Sequence, residues 1–226
     1  MGVLPSTPIP FPHVGRLVVI EGLDGAGKRT LADALTAALT ERGRRVARRA
    51  FPRYGEDVHA DLVRDALHGR LGDLIDSVHG MAVLYALDRR DASAQLRADL
   101  LVNDVVLLDR YVASNAAYGA ARLRQGADGE FVAWVRQLEV ERFGVPTPDA
   151  HLLLRVPAAV AAERAEHRAN HETDRARDHY EVDGGLQARC GVVYDELAAA
   201  GWLAPWHVVD GSARVDVADL LDRVGL

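Results

Sequence analysis

The sequence predicts an α/β fold: a five-stranded, mostly parallel sheet covered by helices, three layers in all. Two observations carry this. Short apolar runs alternate with segments of helical periodicity along nearly the whole chain, and such alternation folds as a parallel sheet with helices on its faces. The first apolar run, Leu17-Val18-Val19-Ile20, leads through Gly22-Leu23-Asp24-Gly25-Ala26-Gly27-Lys28-Arg29-Thr30 into a helical pattern at Leu31, Leu35 and Leu39. Strand, glycine-rich loop and helix in that order build a phosphate cradle. The glycines let backbone N–H groups turn toward an anion, and the helix N-terminus adds partial positive charge.

In order, residues 16–21 read as a buried strand and 28–42 as a helix with Leu31, Ala34, Leu35, Ala38 and Leu39 on its apolar face, stopped by Gly43. Residues 44–50 form a weaker second strand whose Arg44, Arg45, Arg48 and Arg49 suit a solvated edge. Phe51-Pro52-Arg53-Tyr54-Gly55 must be a loop. Helical patterns follow at 57–68 and 77–100, then a clean buried strand at 105–108 ending in Asp109-Arg110-Tyr111. Helices are expected at 113–123 and 129–143, a fourth strand at 150–156 and a helix at 158–168. Residues 168–177 are polar, charged and without apolar periodicity. A helix over 178–200, a fifth strand over 206–209 and a closing helix over 215–224 complete one domain, residues 16–226.

Composition bounds the function. With 49% hydrophobic residues the chain can bury a sizeable core, and a net charge of −6 argues against a general nucleic-acid or membrane-surface binder. A single cysteine, Cys190, precludes an intrachain disulfide, and no apolar run is long enough to span a bilayer. Residues 1–15 carry Pro5, Pro8, Pro10 and Pro12 without a basic start or a long apolar stretch. They read as a disordered or loosely packed extension rather than a signal peptide, and the whole points to the cytoplasm.

Gly22 and Gly27-Lys28 have the spacing of a P-loop, in which a lysine reaches the outer phosphates of a nucleotide. Arg29 stands where a Ser or Thr hydroxyl commonly binds Mg²⁺, and Thr30 comes one residue late. Lys28 is the only lysine among 27 Lys and Arg residues. Its compact ammonium suits a tight loop that the planar fork of arginine would not fit.

Other candidate groups fall at the carboxyl ends of successive strands, where ligands of parallel sheets gather. These are Asp24, the Phe51-Pro52-Arg53-Tyr54 loop, Asp109-Arg110-Tyr111 and the arginines of 164–177. Each has a plainer explanation: a strand-end ion pair for Asp109-Arg110, loop packing for Tyr54, a solvated face for Arg164, Arg168, Arg175 and Arg177.

The chain resembles bacterial thymidylate kinases, closest to the actinobacterial type, over about residues 16–211. The resemblance lies in Glu21-Gly22-Leu23-Asp24-Gly25-Ala26-Gly27-Lys28, Phe51-Pro52-Arg53-Tyr54 and Ala86-Leu87-Asp88-Arg89. It continues in Asp109-Arg110-Tyr111-Val112-Ala113-Ser114-Asn115-Ala116-Ala117-Tyr118 and Arg177-Asp178-His179-Tyr180-Glu181. It implies a P-loop nucleoside-monophosphate-kinase core, a small arginine-rich lid over about residues 164–177, ATP with Mg²⁺, a dTMP acceptor and a homodimer.

Phosphoryl transfer needs positioning and positive charge more than a nucleophilic side chain. On the resemblance, Gly22, Asp24, Gly25, Ala26, Gly27, Lys28, Arg29 and Thr30 would hold ATP. Lys28, Arg110 and the lid residues Arg164, Arg168 and Arg175 would stabilise the transferring charge. Asp24, Asp178 and Glu181 would hold Mg²⁺. For the acceptor, Tyr85 would stack on thymine and Arg89, at i+4, would donate to it. Asn115 would contact the base, Tyr118 would close the sugar pocket, Tyr54 and Tyr180 would line it, and Asp24, Phe51, Arg53, Arg110 and Ser114 would complete the site. A deoxynucleoside kinase and a non-kinase P-loop switch remain as alternatives.

Overall fold

The computed structural model describes residues 14–171, 180 and 184–226, with side chains left aside for 165–171 and 184. Five strands form one parallel sheet: β1 (Arg16–Glu21), β2 (Val46–Ala50), β3 (Val105–Asp109), β4 (Ala150–Arg155) and β5 (Trp206–Asp210), in the order β2-β3-β1-β4-β5. β1 lies at the centre, with Val18 opposite Leu107 of β3 and Ala150 of β4. Residues 17–21 are buried without alternation, as expected of a strand covered on both faces. The chain leaves β1 toward β3 and β2 and later crosses back to β4 and β5. The crevice at the carboxyl ends of β1 and β3 is therefore the place where a ligand can enter.

The helices are α1 (Lys28–Glu41), α2 (Val58–Leu67), α3 (Val78–Val102), α4 (Val112–Arg122), α5 (Glu130–Arg136), α6 (Ala158–His171), α7 (Gly184–Ala199) and α8 (Val217–Val224). α1 buries Leu31, Ala32, Leu35 and Leu39 and packs beside α8. α4, rich in alanine, is thin enough for α3, α5 and α7 all to pack on it. Asp57 caps α2 by accepting from the amides of His59 and Ala60, and Ser77 caps α3 through Gly80 N. No helix among the described residues is long and apolar enough to cross a membrane.

Two elements depart from expectation. The helix expected over 129–143 is α-helical only to Arg136 and continues as a π-helical turn, Gln137–Arg142, whose wider winding carries Glu139 into the core. α6 runs on to His171, so the first half of the expected lid is helical; residues 172–179 lie outside the described residues. β2 is an edge strand as expected but begins at Val46, and Arg45 before it and Arg48 and Arg49 within it are paired. Arg45 bonds Asp104 at 3.3 Å, Arg48 bonds Asp33 at 2.5 Å and Arg49 bonds Asp99 at 2.9 Å.

Candidate active site

The loop after β1 is shaped by glycine. Gly22, Gly25 and Gly27 have φ of 145°, 84° and 97°. A Cβ on Gly22 would lie 2.5 Å from the carbonyl oxygen of Leu154, so only glycine lets β1 turn so close to β4. Lys28 begins α1 and folds back over the loop, donating from Nζ to the carbonyls of Leu23 (2.8 Å) and Gly22 (3.2 Å). Burial, reinforced by the nearby guanidinium of Arg110, lowers its pKa to about 8. Arg29 and Thr30 are exposed.

β3 delivers Arg110 to the same place. Its φ of 66° is unusual for a residue with a side chain, and such strain persists where surrounding contacts enforce it. Here its amide donates to Ile20 O at 3.0 Å, locking the turn onto β1. Its guanidinium pairs with Asp24 Oδ1, donates to Ser114 Oγ at 3.2 Å and lies 5.4 Å above the Tyr118 ring. Tyr118 donates from its hydroxyl to Asp24 Oδ2 at 2.7 Å. Burial would raise the Asp24 pKa, but Arg110 and Lys28 hold it well below the usual carboxylate range. Burial pushes the Tyr118 phenol upward, which keeps it a donor.

Beneath this layer sits Glu21, at the end of β1 and fully buried. It accepts from the amides of Tyr111 (2.9 Å) and Ser114 (3.2 Å) and from the hydroxyls of Ser114 (2.6 Å) and Tyr194 (3.0 Å). It holds the start of α4, and with it Arg110 and Ser114, against the phosphate loop. Burial raises its pKa despite these donors.

A cleft opens between α3 and α4. Tyr85, Asn115, Tyr118 and Tyr180, all expected at an acceptor site, line it with Met81, Ala82 and Arg122. The Tyr118 and Tyr180 rings lie 6.2 Å apart, and the Arg122 guanidinium sits 5.0 Å above Tyr180. Behind the lining, reached through Asn115, Arg89 is buried in a two-pronged pair with Glu139, at 2.5 and 2.8 Å, which Asn115 joins at 2.8 Å.

The remaining expected residues spread outward. Phe51 is a core residue packed on Tyr111, ring centroids 5.6 Å apart. Arg53 lies beside it with two of its three nitrogens engaged: Nε with Asp88 Oδ1 at 2.6 Å, and Nη2 with Asp57 Oδ2 at 2.9 Å and Asp88 O at 2.8 Å. Tyr54 is exposed, beneath the guanidinium of Arg64 at 5.9 Å. Arg164 is exposed on α6 and donates to Gly211 O at 3.0 Å. The side chains of Arg168, Arg175, Asp178 and Glu181 lie outside the described residues.

Sequence reasoning missed Glu139, the anchoring role of Glu21, and Gln187, which donates to Tyr180 O at 3.0 Å and to Asp24 Oδ2 at 3.4 Å. It also offered a strand-end ion pair as the plainer reading of Asp109-Arg110. Asp109 Oδ1 is instead buried without a partner among the described residues, near enough to Lys28 to favour its charge. Buried unpaired polar atoms are rare, and a water or a cation would satisfy this one.

A P-loop at the centre of a parallel sheet, joined by an arginine-carboxylate pair to a second, aromatic cleft, defines a nucleotide phosphotransferase of the nucleoside-monophosphate-kinase class. The family model for thymidylate kinase matches residues 20–198. A thymidylate kinase of Mycobacterium tuberculosis (strain ATCC 25618 / H37Rv) is 54% identical over 193 residues, covering 85% of this chain and 90% of that protein. Those of Xanthomonas oryzae pv. oryzae (strain PXO99A; 36%, covering 93% and 86%) and Akkermansia muciniphila (37%, covering 88% and 85%) are similar over most of their lengths. The chain belongs to the thymidylate kinase family.

Proposed function

We propose that the protein transfers the γ-phosphoryl group of ATP to dTMP, giving dTDP and ADP, with Mg²⁺ as cofactor. The observation that carries this is the shared carboxylate of Asp24. Arg110, reaching from β3, holds one oxygen and Tyr118, reaching from the aromatic cleft, holds the other, so the phosphate loop and the acceptor cleft form one site.

Lys28 would exchange its bonds to Gly22 O and Leu23 O for phosphate oxygens of ATP and bring a charge that strengthens as negative charge shifts to the bridging oxygen. Arg110 would clamp the acceptor phosphate through paired donors. Arg53 would stand behind it, since Asp57 and Asp88 already take most of its hydrogen bonds. Tyr85 would stack on the base, Arg89 and Asn115 would read its edge, and Tyr118 would fill the space a 2′-hydroxyl needs. Arg164, Arg168 and Arg175 would close over the transferring group and exclude water.

The donors fit Mg²⁺: Asp109 offers a buried oxygen without a partner among the described residues, and Asp24 keeps lone pairs beyond those used by Arg110 and Tyr118. Asp178 and Glu181 are proposed as further ligands on the resemblance alone. Bound there, the ion would neutralise charge on the phosphates. Cytoplasmic location and a homodimer are likewise proposed; Val58 and Leu62, exposed and one turn apart on α2, supply apolar surface for a partner copy.

ADP release should be measured with ATP and Mg²⁺ in the presence of dTMP, thymidine or no acceptor. Release with dTMP alone is expected. Release with thymidine would assign a deoxynucleoside kinase, and release without acceptor a P-loop switch.

A further inference from the structure

We infer that Glu139 determines acceptor specificity by fixing which atoms Asn115 and Arg89 present to the base, an inference that rests on the base-reading role proposed for those two residues. Glu139 is wholly buried, at 0% exposure, in the π-helical turn. Its Oε2 accepts from Arg89 Nε at 2.5 Å, and its Oε1 accepts from Arg89 Nη2 and from Asn115 Nδ2, each at 2.8 Å. The other hydrogen of Asn115 Nδ2 goes to the carbonyl of Ala82 at 3.0 Å.

Both partners of that nitrogen, a carboxylate and a carbonyl, can only accept. Turning the amide over would set Oδ1 against two acceptors in a buried place, so the amide has one orientation. Oδ1, without a partner among the described residues, is then the atom Asn115 offers to a ligand in the cleft it lines. A pyrimidine base separates into two patterns there. Thymine presents an N3–H donor beside an O4 acceptor, while cytosine presents an N3 acceptor beside an amino donor. An acceptor from Asn115 with a donor from Arg89 complements the first and opposes the second. Glu139 also neutralises Arg89, so the guanidinium can read an uncharged base without standing as an unpaired charge. Glu139 is therefore a positioning residue: it touches no ligand and acts through its two neighbours.

Glu139→Gln keeps the shape but removes the charge and replaces one acceptor oxygen with a donor nitrogen, which opposes Arg89 Nε in one orientation and both Arg89 Nη2 and Asn115 Nδ2 in the other. The ratio of kcat/KM for dTMP over dCMP should fall about tenfold or more while the KM for ATP stays put, since a mismatched buried donor is what discriminates. Glu139→Asp, still acceptor-only, should keep the ratio even if turnover of both nucleotides drops. A merely structural role would lower both together. An unchanged ratio in Glu139→Gln overturns the inference, and the parent's preference for dTMP then leaves the base-reading proposal standing. A parent that does not prefer dTMP overturns that proposal itself, and this inference with it. Should Glu139→Gln not fold, the parent's Asn115 side-chain amide decides. Its two protons, assigned by their loss in Asn115→Ala, should exchange slowly with and without dTMP; exchange at the rate of a solvated amide overturns the inference.

Discussion

The phosphate loop should take up a proton when it binds nucleotide. Lys28 is buried beside Arg110, and its pKa is lowered from 10.5 to about 8. Phosphate oxygens of a bound nucleotide would replace that repulsion by attraction and return the ammonium to its ordinary range. With a free-protein pKa of about 8, nucleotide affinity should fall about tenfold between pH 7 and pH 9, and binding at pH 8.5 should absorb about 0.75 proton, by the linkage between binding and titration. The sign for stability follows from the same shift. The unfolded chain holds more protons than the folded one between about pH 8 and 10.5, so the nucleotide-free protein should become more stable as pH rises through that window. Titration calorimetry with a non-hydrolysable ATP analogue, in two buffers of different ionisation enthalpy, measures the proton directly. Lys28→Ala should bind weakly with no pH slope and no uptake. Binding by the parent that is equally tight at pH 7 and pH 9, without proton uptake, would refute the placement of Lys28 as the buried phosphate ligand.

Two further outcomes follow. His151, in β4, has neither ring nitrogen bonded among the described residues and stacks 4.2 Å from Trp206, and burial lowers its pKa from 6.5 to about 3. The unfolded state therefore binds the extra proton between those values, and acidification from pH 7.5 to pH 5 should cost about 2 kcal/mol; urea denaturation should show that slope lost in His151→Leu, and an equal slope in the variant would place the titrating group elsewhere. Tyr118→Ala should raise the relative turnover of the ribonucleotide about tenfold or more if the ring excludes the 2′-hydroxyl, while unchanged discrimination would remove Tyr118 from the sugar pocket.

The phosphate loop was legible in the sequence because its chemistry is local: glycine spacing, a preceding apolar strand and a following helix all lie within a few residues of Lys28. Arg110 was legible for a similar reason, as the residue just past the end of the strand that runs from Val105 to Asp109. Pairings across the fold were not. Gln137-Leu138-Glu139-Val140-Glu141-Arg142 looks like the charged face of a solvated helix, and nothing in it reports that a π turn buries Glu139 against Arg89, fifty positions away. Glu21 ends an apolar run and could have been flagged as a buried carboxylate, but its four donors come from Tyr111, which caps α4, from Ser114 in α4 and from Tyr194 in α7. Arg53 was legible by its place after β2, but its pairing with Asp57 and Asp88, four and thirty-five positions away, was not.

The most direct measurement follows the phosphoryl group itself. The protein is incubated with Mg²⁺, dTMP and ATP labelled in its γ-phosphate, and the products are separated. The label should appear as the β-phosphate of dTDP, one for each ADP formed, and Lys28→Ala should form almost none. Label released as inorganic phosphate at the same rate with and without dTMP would contradict the account.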